Sequence, residues 1–142
     1  MRILCLDIGE KRIGVAASDP FGWIAQPVEV ISRSKILNDF NRIVFLCRDL
    51  SADLLLVGIP LDSEGGLGPQ ARKIQKFVDK LSLHLNESGI TIPIEYWDER
   101  YSTAEAEQRL IENDLSRAKR KRVIDKMAAV VILEGYLFSK GN

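Results

Sequence analysis

Residues 2–18, RILCLDIGEKRIGVAAS, contain two runs rich in Ile, Leu, Val and Ala, joined through Gly9-Glu10-Lys11. Each run has the length and residue types of a strand, and the tripeptide between them has turn character. The pair therefore predicts an antiparallel hairpin of strands 2–8 and 12–18. A third strand is expected at 23–31, WIAQPVEVI, where Pro27 lacks the N–H that an interior strand needs and so confines it to an edge or a bulge. The first run closes on a carboxylate, Asp7, followed at once by Ile8-Gly9. On its own that carboxylate could be a turn residue, a companion to a phosphate site or a metal ligand.

Beyond residue 33 the apolar period changes. Ile36, Phe40, Ile43, Cys47 and Leu50 alternate spacings of four and three, with Leu37 and Val44 alongside, predicting an amphipathic helix over 34–50. DLLLVGI at 53–59 is an almost unbroken apolar run, the pattern of a parallel strand covered on both faces. After the loop PLDSEGGLGP, Pro69 suits the first turn of a second helix. Its stripe of Ile74, Phe77, Val78, Leu81 and Leu85 ends at Gly89, and Arg72, Lys73, Lys76 and Lys80 occupy the other face. TIPIEYW at 91–97 is a further strand, and Ser102 with Glu105 has the form of a capping box for another helix. The final helix, from about 123 to 138, is apolar on nearly all sides and is expected to be buried. The order βββαβαβαα predicts an α/β fold: a mixed five-stranded sheet, antiparallel in its first three strands and parallel later, with helices on both faces.

A chain of 142 residues, 46% hydrophobic and 28% charged, suits one domain over 1–142 and is too short for two lobes around a cleft. Lys and Arg equal Asp and Glu, 20 against 20, so no global field marks a polyanion binder and any such case rests on local charge. Cys5 on a strand and Cys47 on the apolar face of a helix read as buried thiols in a reducing compartment. No run approaches the roughly 18 apolar residues of a membrane span, and the amino terminus enters a strand directly, so a cytoplasmic protein with no membrane partner is expected. The Gly-rich loop has neither GxxxxGK[ST] nor GxGxxG, which leaves flexible contact with substrate as its better reading. His84, near the margin of an apolar stripe, is expected to be structural, and Trp23 and Trp97 to pack the core.

Three acidic positions stand out: Asp7 at the end of the first strand, Asp98-Glu99 at the end of the last, and Asp125 early in the buried helix. If the first strand is central and the last runs parallel to it, their carboxyl ends share the edge where α/β sheets build sites. Gathered carboxylates repel one another and need cations. Hard oxygen donors without a His/Cys set suit Mg²⁺ rather than zinc, and two such ions about 4 Å apart support phosphodiester hydrolysis. Asp7, Glu99 and Asp125 are the expected ligands and catalytic residues. Each also has a plainer reading as turn residue, loop charge or helix N-terminal acid. Asp125 adds weight because KMAAVVIL follows it, with no further acid until Glu134 and with Ala128-Ala129 permitting close approach to the sheet. A buried carboxylate there is costly without a partner. Within Asp98-Glu99 strand parity lets only one face the site; Glu99 is favoured for its reach, with Asp98 the alternative acid.

Arg117, Lys119, Arg120, Lys121 and Arg122 form a basic run just ahead of Asp125. Such runs are usually solvated loops, but beside an acidic metal site they can neutralise phosphates flanking a scissile bond. Lys11 and Arg12 in the first hairpin, and Arg100 after the acidic pair, extend the same basic surface.

Four motifs in order, DIGEKRIGVAASD, VGIPLDSEGGLGPQA, DERYSTAEA and IDKMAAVVIL, resemble those of the YqgF (RuvX) family of pre-16S rRNA nucleases, also described as Holliday junction resolvases. The resemblance runs nearly end to end and implies a ribonuclease H-like fold, with Asp7, the pair Asp98-Glu99 and Asp125 at the catalytic positions. It further implies endonucleolytic trimming at the 5′ end of bacterial 16S rRNA with Mg²⁺ or Mn²⁺. Resolution of branched DNA is the rival and uses the same chemistry. A resolvase should act as a symmetric homodimer, whereas an rRNA nuclease can work as a monomer. Two readings from other classes are weaker. A non-catalytic nucleic-acid-binding module has no need of clustered acids beside phosphate. The Asp7-x-Gly9 pattern also resembles the first phosphate motif of actin-like ATPases, but those need two lobes.

Overall fold

The computed structural model describes residues 1–99 and 117–140, with side chains described for 1–99 and 127–140. The elements are β1 (Ile3–Ile8), β2 (Arg12–Ser18), β3 (Ala25–Ser32), α1 (Ile36–Asp49), β4 (Leu54–Ile59), α2 (Pro69–Glu87), β5 (Ile94–Asp98) and α3 (Arg117–Ser139). The sheet is ordered β3-β2-β1-β4-β5. β1 pairs with β2 and β2 with β3 antiparallel, whereas β4 lies parallel to both β1 and β5. The mixed five-stranded sheet is therefore as the element order predicted, and β1, which carries Asp7, is its central strand.

Alternation along the strands sorts the core into two layers. Leu4, Leu6, Ile8, Val15, Leu55 and Val57 face α1 and α2, whose stripes, including Phe40, Ile43, Ile74 and Leu81, cover them. Ile3, Cys5, Ala16, Leu54 and Leu56 face the opposite way and are covered by Ala129, Ile132, Leu133 and Tyr136 of α3. Cys5 and Cys47 are free and buried, one in each layer. Burial first, then the charges of Asp7 and Glu99, pushes the Cys5 thiol well up, and burial takes Cys47 up to about 11, so both stay protonated.

Several boundaries differ from the sequence reading, each for a local reason. β3 starts at Ala25, because Asp19 Oδ1 accepts the N–H groups of Trp23 (2.6 Å) and Ile24 (2.8 Å) and binds those residues into the turn after β2. Trp23 is consequently exposed at 68% beside the equally open Phe21, and the expectation that it packs the core is wrong; Trp97 does pack against the α3 layer. Pro27 sits on the edge strand, and it also meets a bulge, where Val15 pairs with Glu29 but Ala16 with Pro27. β5 begins only after Pro93, which has no N–H to pair. The described helix α3 already includes residues 117–122, ahead of the predicted start at about 123, so the basic run is helical backbone rather than the solvated loop of its plainer reading; Arg, Lys and Ala are all good helix formers. The helix predicted after Ser102 lies outside the described residues. His84 is structural, its Nε2 2.9 Å from Asn41 Oδ1 and its ring against Phe40.

The turn that follows Asp7 is tied from two sides. Gly9 N–H donates to Arg12 O (2.8 Å), and Arg33 donates from its backbone to Lys11 O (2.9 Å) and from Nη1 to Gly9 O (2.6 Å). The Arg33 guanidinium lies 4.7 Å from the Phe77 ring centre and 3.9 Å from Asp39 Oδ2, which fixes it. A Cβ at Gly9 would stand 2.9 Å from the Arg12 carbonyl oxygen, a backbone atom with little freedom to yield. Gly9→Ala is thus expected to destabilise the protein by about 1–3 kcal/mol, the range for overpacking, measured by chemical denaturation; an unchanged midpoint would contradict this account of the turn.

Candidate active site

Asp7 shares the parity of Ile3 and Cys5 and so points to the α3 side of the sheet, next to the turn. At the end of β5, Ile94 packs with the α1/α2 layer and Trp97 with the α3 layer. Asp98 therefore continues the face of Ile94 and Tyr96, and Glu99, one residue past the strand, continues the face of Trp97. The Glu99 N–H donates to Ile59 O (3.1 Å), which prolongs the β4–β5 ladder by one step and holds the backbone in strand-like register. The pairing brings Asp7 and Glu99 together on one face at the carboxyl edge of β1, β4 and β5, and leaves Asp98 on the other.

The electrostatics of the pair follow from its burial. Glu99 titrates at about 8 rather than 4.5, first through burial, then through the charge of Asp7 and a side-chain hydrogen bond with it, and last through the charge of Asp98. Its Oε2 is buried with no hydrogen-bond partner. An acceptor held dry in this way is expensive unless something supplies positive charge. Two neighbouring hard carboxylates, one with an oxygen that has no hydrogen-bond partner, are donors of the kind a divalent cation such as Mg²⁺ or Mn²⁺ takes, so the residues present fit the metal that the acidic pattern implied.

Asp125 belongs to the first turns of α3, and its side chain lies outside the described residues. Its level on the helix can still be given. The Tyr136 hydroxyl donates to Glu95 Oε2 (2.9 Å), Gly135 lies against the Trp97 indole, and Ile132 reaches Gly58. As α3 residue numbers fall, the helix thus climbs toward the carboxyl edge of the sheet. Asp125 is seven residues before Ile132, about 10 Å further in that direction at 1.5 Å per residue. Among the described residues only two acids converge and no group of three His, Cys, Asp or Glu is close enough to hold an ion; a third donor has to come from elsewhere.

Of the basic candidates, Lys11 is exposed and Arg12 half-buried on the turn next to Asp7. Arg100 and the side chains of Arg117, Lys119, Arg120, Lys121 and Arg122 lie outside the described residues, the last five on the end of α3 that rises toward the site. Gly58 was not singled out by sequence reasoning, yet it lies directly beneath Glu99. A glycine inside the otherwise Leu/Val/Ile strand at 54–59 was the available signal, since it marks a close approach.

Solved structures that resemble this chain along its length include junction resolvases. RuvC of Thermus thermophilus in complex with a Holliday junction substrate has a TM-score of 0.61 at 13% identity, covering 100% of this chain and 97% of that one. The fowlpox virus resolvase with substrate Holliday junction DNA has a TM-score of 0.59 at 12% identity, with 100% of each chain covered. At such identities the likeness defines the fold, which is ribonuclease H-like. The family model RuvX, described as Holliday junction resolvase, matches residues 1–139. A "Putative pre-16S rRNA nuclease" of Desulforamulus reducens is 50% identical over 139 residues, 98% of either chain. One of the same name from Thermoanaerobacter pseudethanolicus is 50% identical over 143 residues, covering 100% of this chain and 99% of that one. The chain belongs to the RuvX family.

The raised Glu99 carboxyl has a measurable sign. Its native state favours the protonated form, so the stability it contributes is complete below about pH 4.5 and is lost as pH rises through about 8. In metal-free protein with chelator present, Glu99→Gln should match wild type near pH 5 and become the more stable of the two by pH 9, by roughly 1–3 kcal/mol, the cost of an unsatisfied buried group. Parallel stability curves across that window would mean that Glu99 is not strained as described.

Proposed function

We propose that this protein is a metal-dependent endonuclease that hydrolyses phosphodiester bonds during maturation of the 5′ end of precursor 16S rRNA. The observation that carries the reading is the Glu99 carboxylate beside Asp7 at the carboxyl edge of the sheet, with its Oε2 buried and without a hydrogen-bond partner. A module that only bound nucleic acid would weaken its hold on phosphate by gathering acids there.

Asp7 and Glu99 would hold Mg²⁺ or Mn²⁺, two ions with Asp125 as a third donor from the start of α3. When bound, such ions supply an activated water and neutralise charge on the leaving oxygen. The chain itself supplies the placement. Strand pairing holds Asp7 and Glu99 on one face, and the α3 layer keeps bulk water from their inner side. Lys11 and Arg12 offer positive charge to phosphates on the hairpin side, and Arg100, Arg117, Lys119, Arg120, Lys121 and Arg122 would extend that surface along the strand being cut.

The names of relatives at 50% identity favour a ribosomal RNA precursor, a substrate met in the bacterial cytoplasm, on which a monomer suffices. The description of the family model and the fold shared with resolvases support Holliday junction DNA as the second reading, which asks for a homodimer to cut two strands symmetrically.

A cleavage assay with precursor 16S rRNA and a synthetic four-way DNA junction, in Mg²⁺, Mn²⁺ or chelator, separates these. Asp7→Asn, Glu99→Gln and Asp125→Asn should each lose at least about a hundredfold in rate, close to 3 kcal/mol of barrier, while Asp98→Asn stays within a few fold of wild type. If neither substrate is cut with either metal, or Asp7→Asn cuts as wild type does, the nuclease mechanism is wrong. Preferential cutting of the junction would transfer the protein to the resolvase reading.

A further inference from the structure

Gly58 is the fifth residue of β4 and pairs with Trp97 of β5, on the α3 face of the sheet. A Cβ built on it would lie 2.5 Å from Glu99 Oε2 and 2.6 Å from Ile132 Cδ1, both closer than real Cβ contacts allow. Its φ is not in the left-handed region, so conformational freedom does not explain the glycine. What the missing side chain provides is room. Two occupants share it: the carboxylate end of Glu99 and the terminal methyl of Ile132.

We infer that Gly58 is a positioning residue for the acidic site, the absent side chain being what lets the Glu99 carboxylate settle onto the sheet on the same side as Asp7. The inference rests on the metal-site reading above and adds a residue to it. Both close atoms are the far ends of flexible side chains, so a methyl group at 58 displaces them without breaking the strand. Alanine in place of glycine also lowers the entropy of the unfolded chain, which favours the fold. Gly58→Ala should therefore remain folded while the carboxylate is pushed off its position. Ligand sets tolerate such displacement poorly, since the donors must be held to within about 0.5 Å of their productive places. The competing account is that Gly58 serves only helix packing, admitting Ile132 so that α3 can approach the sheet.

The test compares wild type, Gly58→Ala, Ile132→Val and the double variant as full chains. Mn²⁺ affinity is measured by electron paramagnetic resonance titration, melting temperature is followed in parallel, and a crystal structure is determined for metal-free Gly58→Ala. Mn²⁺ affinity should fall at least about tenfold in Gly58→Ala and stay low in the double variant, because removing Cδ1 of Ile132 leaves the clash with Glu99. Ile132→Val should bind Mn²⁺ as wild type does, the melting temperature of Gly58→Ala should hold, and its crystal structure should show Glu99 displaced. Wild-type affinity in Gly58→Ala overturns the inference, as does recovery of affinity in the double variant or a crystal structure in which Ile132 has rotated and Glu99 has not moved. Wild type binding no Mn²⁺ would instead overturn the metal reading, and the place of Glu99 in the variant crystal would still decide the steric claim.

Discussion

The placing of two acids, Asp7 and half-buried Glu99, side by side on one face of the sheet is the constraint on which the site depends. The two acids come from strands separated in the sheet by β4 and are held on one face by pairings on both sides of that strand. Burial first, and then the neighbouring charge of Asp7 and a hydrogen bond with it, favour a proton on Glu99, which is why its carboxyl titrates at about 8. Neither can move away while β1 is clamped between β2 and β4 and the residue after β5 is hydrogen-bonded to Ile59. The rigid ladder is thus what holds the two carboxylates together despite their mutual charge.

The two faces of the sheet divide the labour. The α1/α2 side is an apolar layer whose α2 carries Arg72, Lys73, Lys76 and Lys80 outward, while Asp39 of α1 is buried. The α3 side has to close a core and border a charged site with one helix. Its apolar middle, Ala128 to Leu133, packs on Ile3, Cys5 and Leu56, and two glycines regulate the approach. Gly135 brings the helix against the Trp97 indole, where a Cβ would stand 3.2 Å from Nε1, and Gly58 leaves space at the level of Ile132. Above that level the backbone of α3 carries Arg117, Lys119, Arg120, Lys121, Arg122 and Asp125.

Much of this was legible in the chain. The switch from a two-residue to a 3.6-residue apolar period separates strands from helices, and the unbroken run at 54–59 announces a covered parallel strand, so the mixed sheet with antiparallel first strands and parallel later ones followed. The position of Asp7 after a run of core residues marked the site edge. What could not be read depended on partners distant in sequence. Trp23 looks like core until the Asp19 side chain is seen to hold its backbone in a turn, and apolarity alone cannot report that. The choice between Asp98 and Glu99 hinged on where β5 ends and on one hydrogen bond to Ile59. Gly58 resembles any weak point in a strand until the two side chains above it are located.

The distance in sequence from the resolvases sharpens the same point. At 12–13% identity most side chains differ, yet the fold is the same, with TM-scores of 0.61 and 0.59. An apolar layer tolerates exchange among residues of similar volume, so the core places little restriction on identity. Strand order and parity are different, because moving one strand by a single residue would turn its acid to the wrong face and dissolve the site. Selection on a site of this kind acts on register and on the few positions where backbone, carboxylate and helix meet. Gly58 is such a position in this chain, with the Glu99 carboxylate and Ile132 of α3 closing on it, and it is defined by what approaches it rather than by what it contributes.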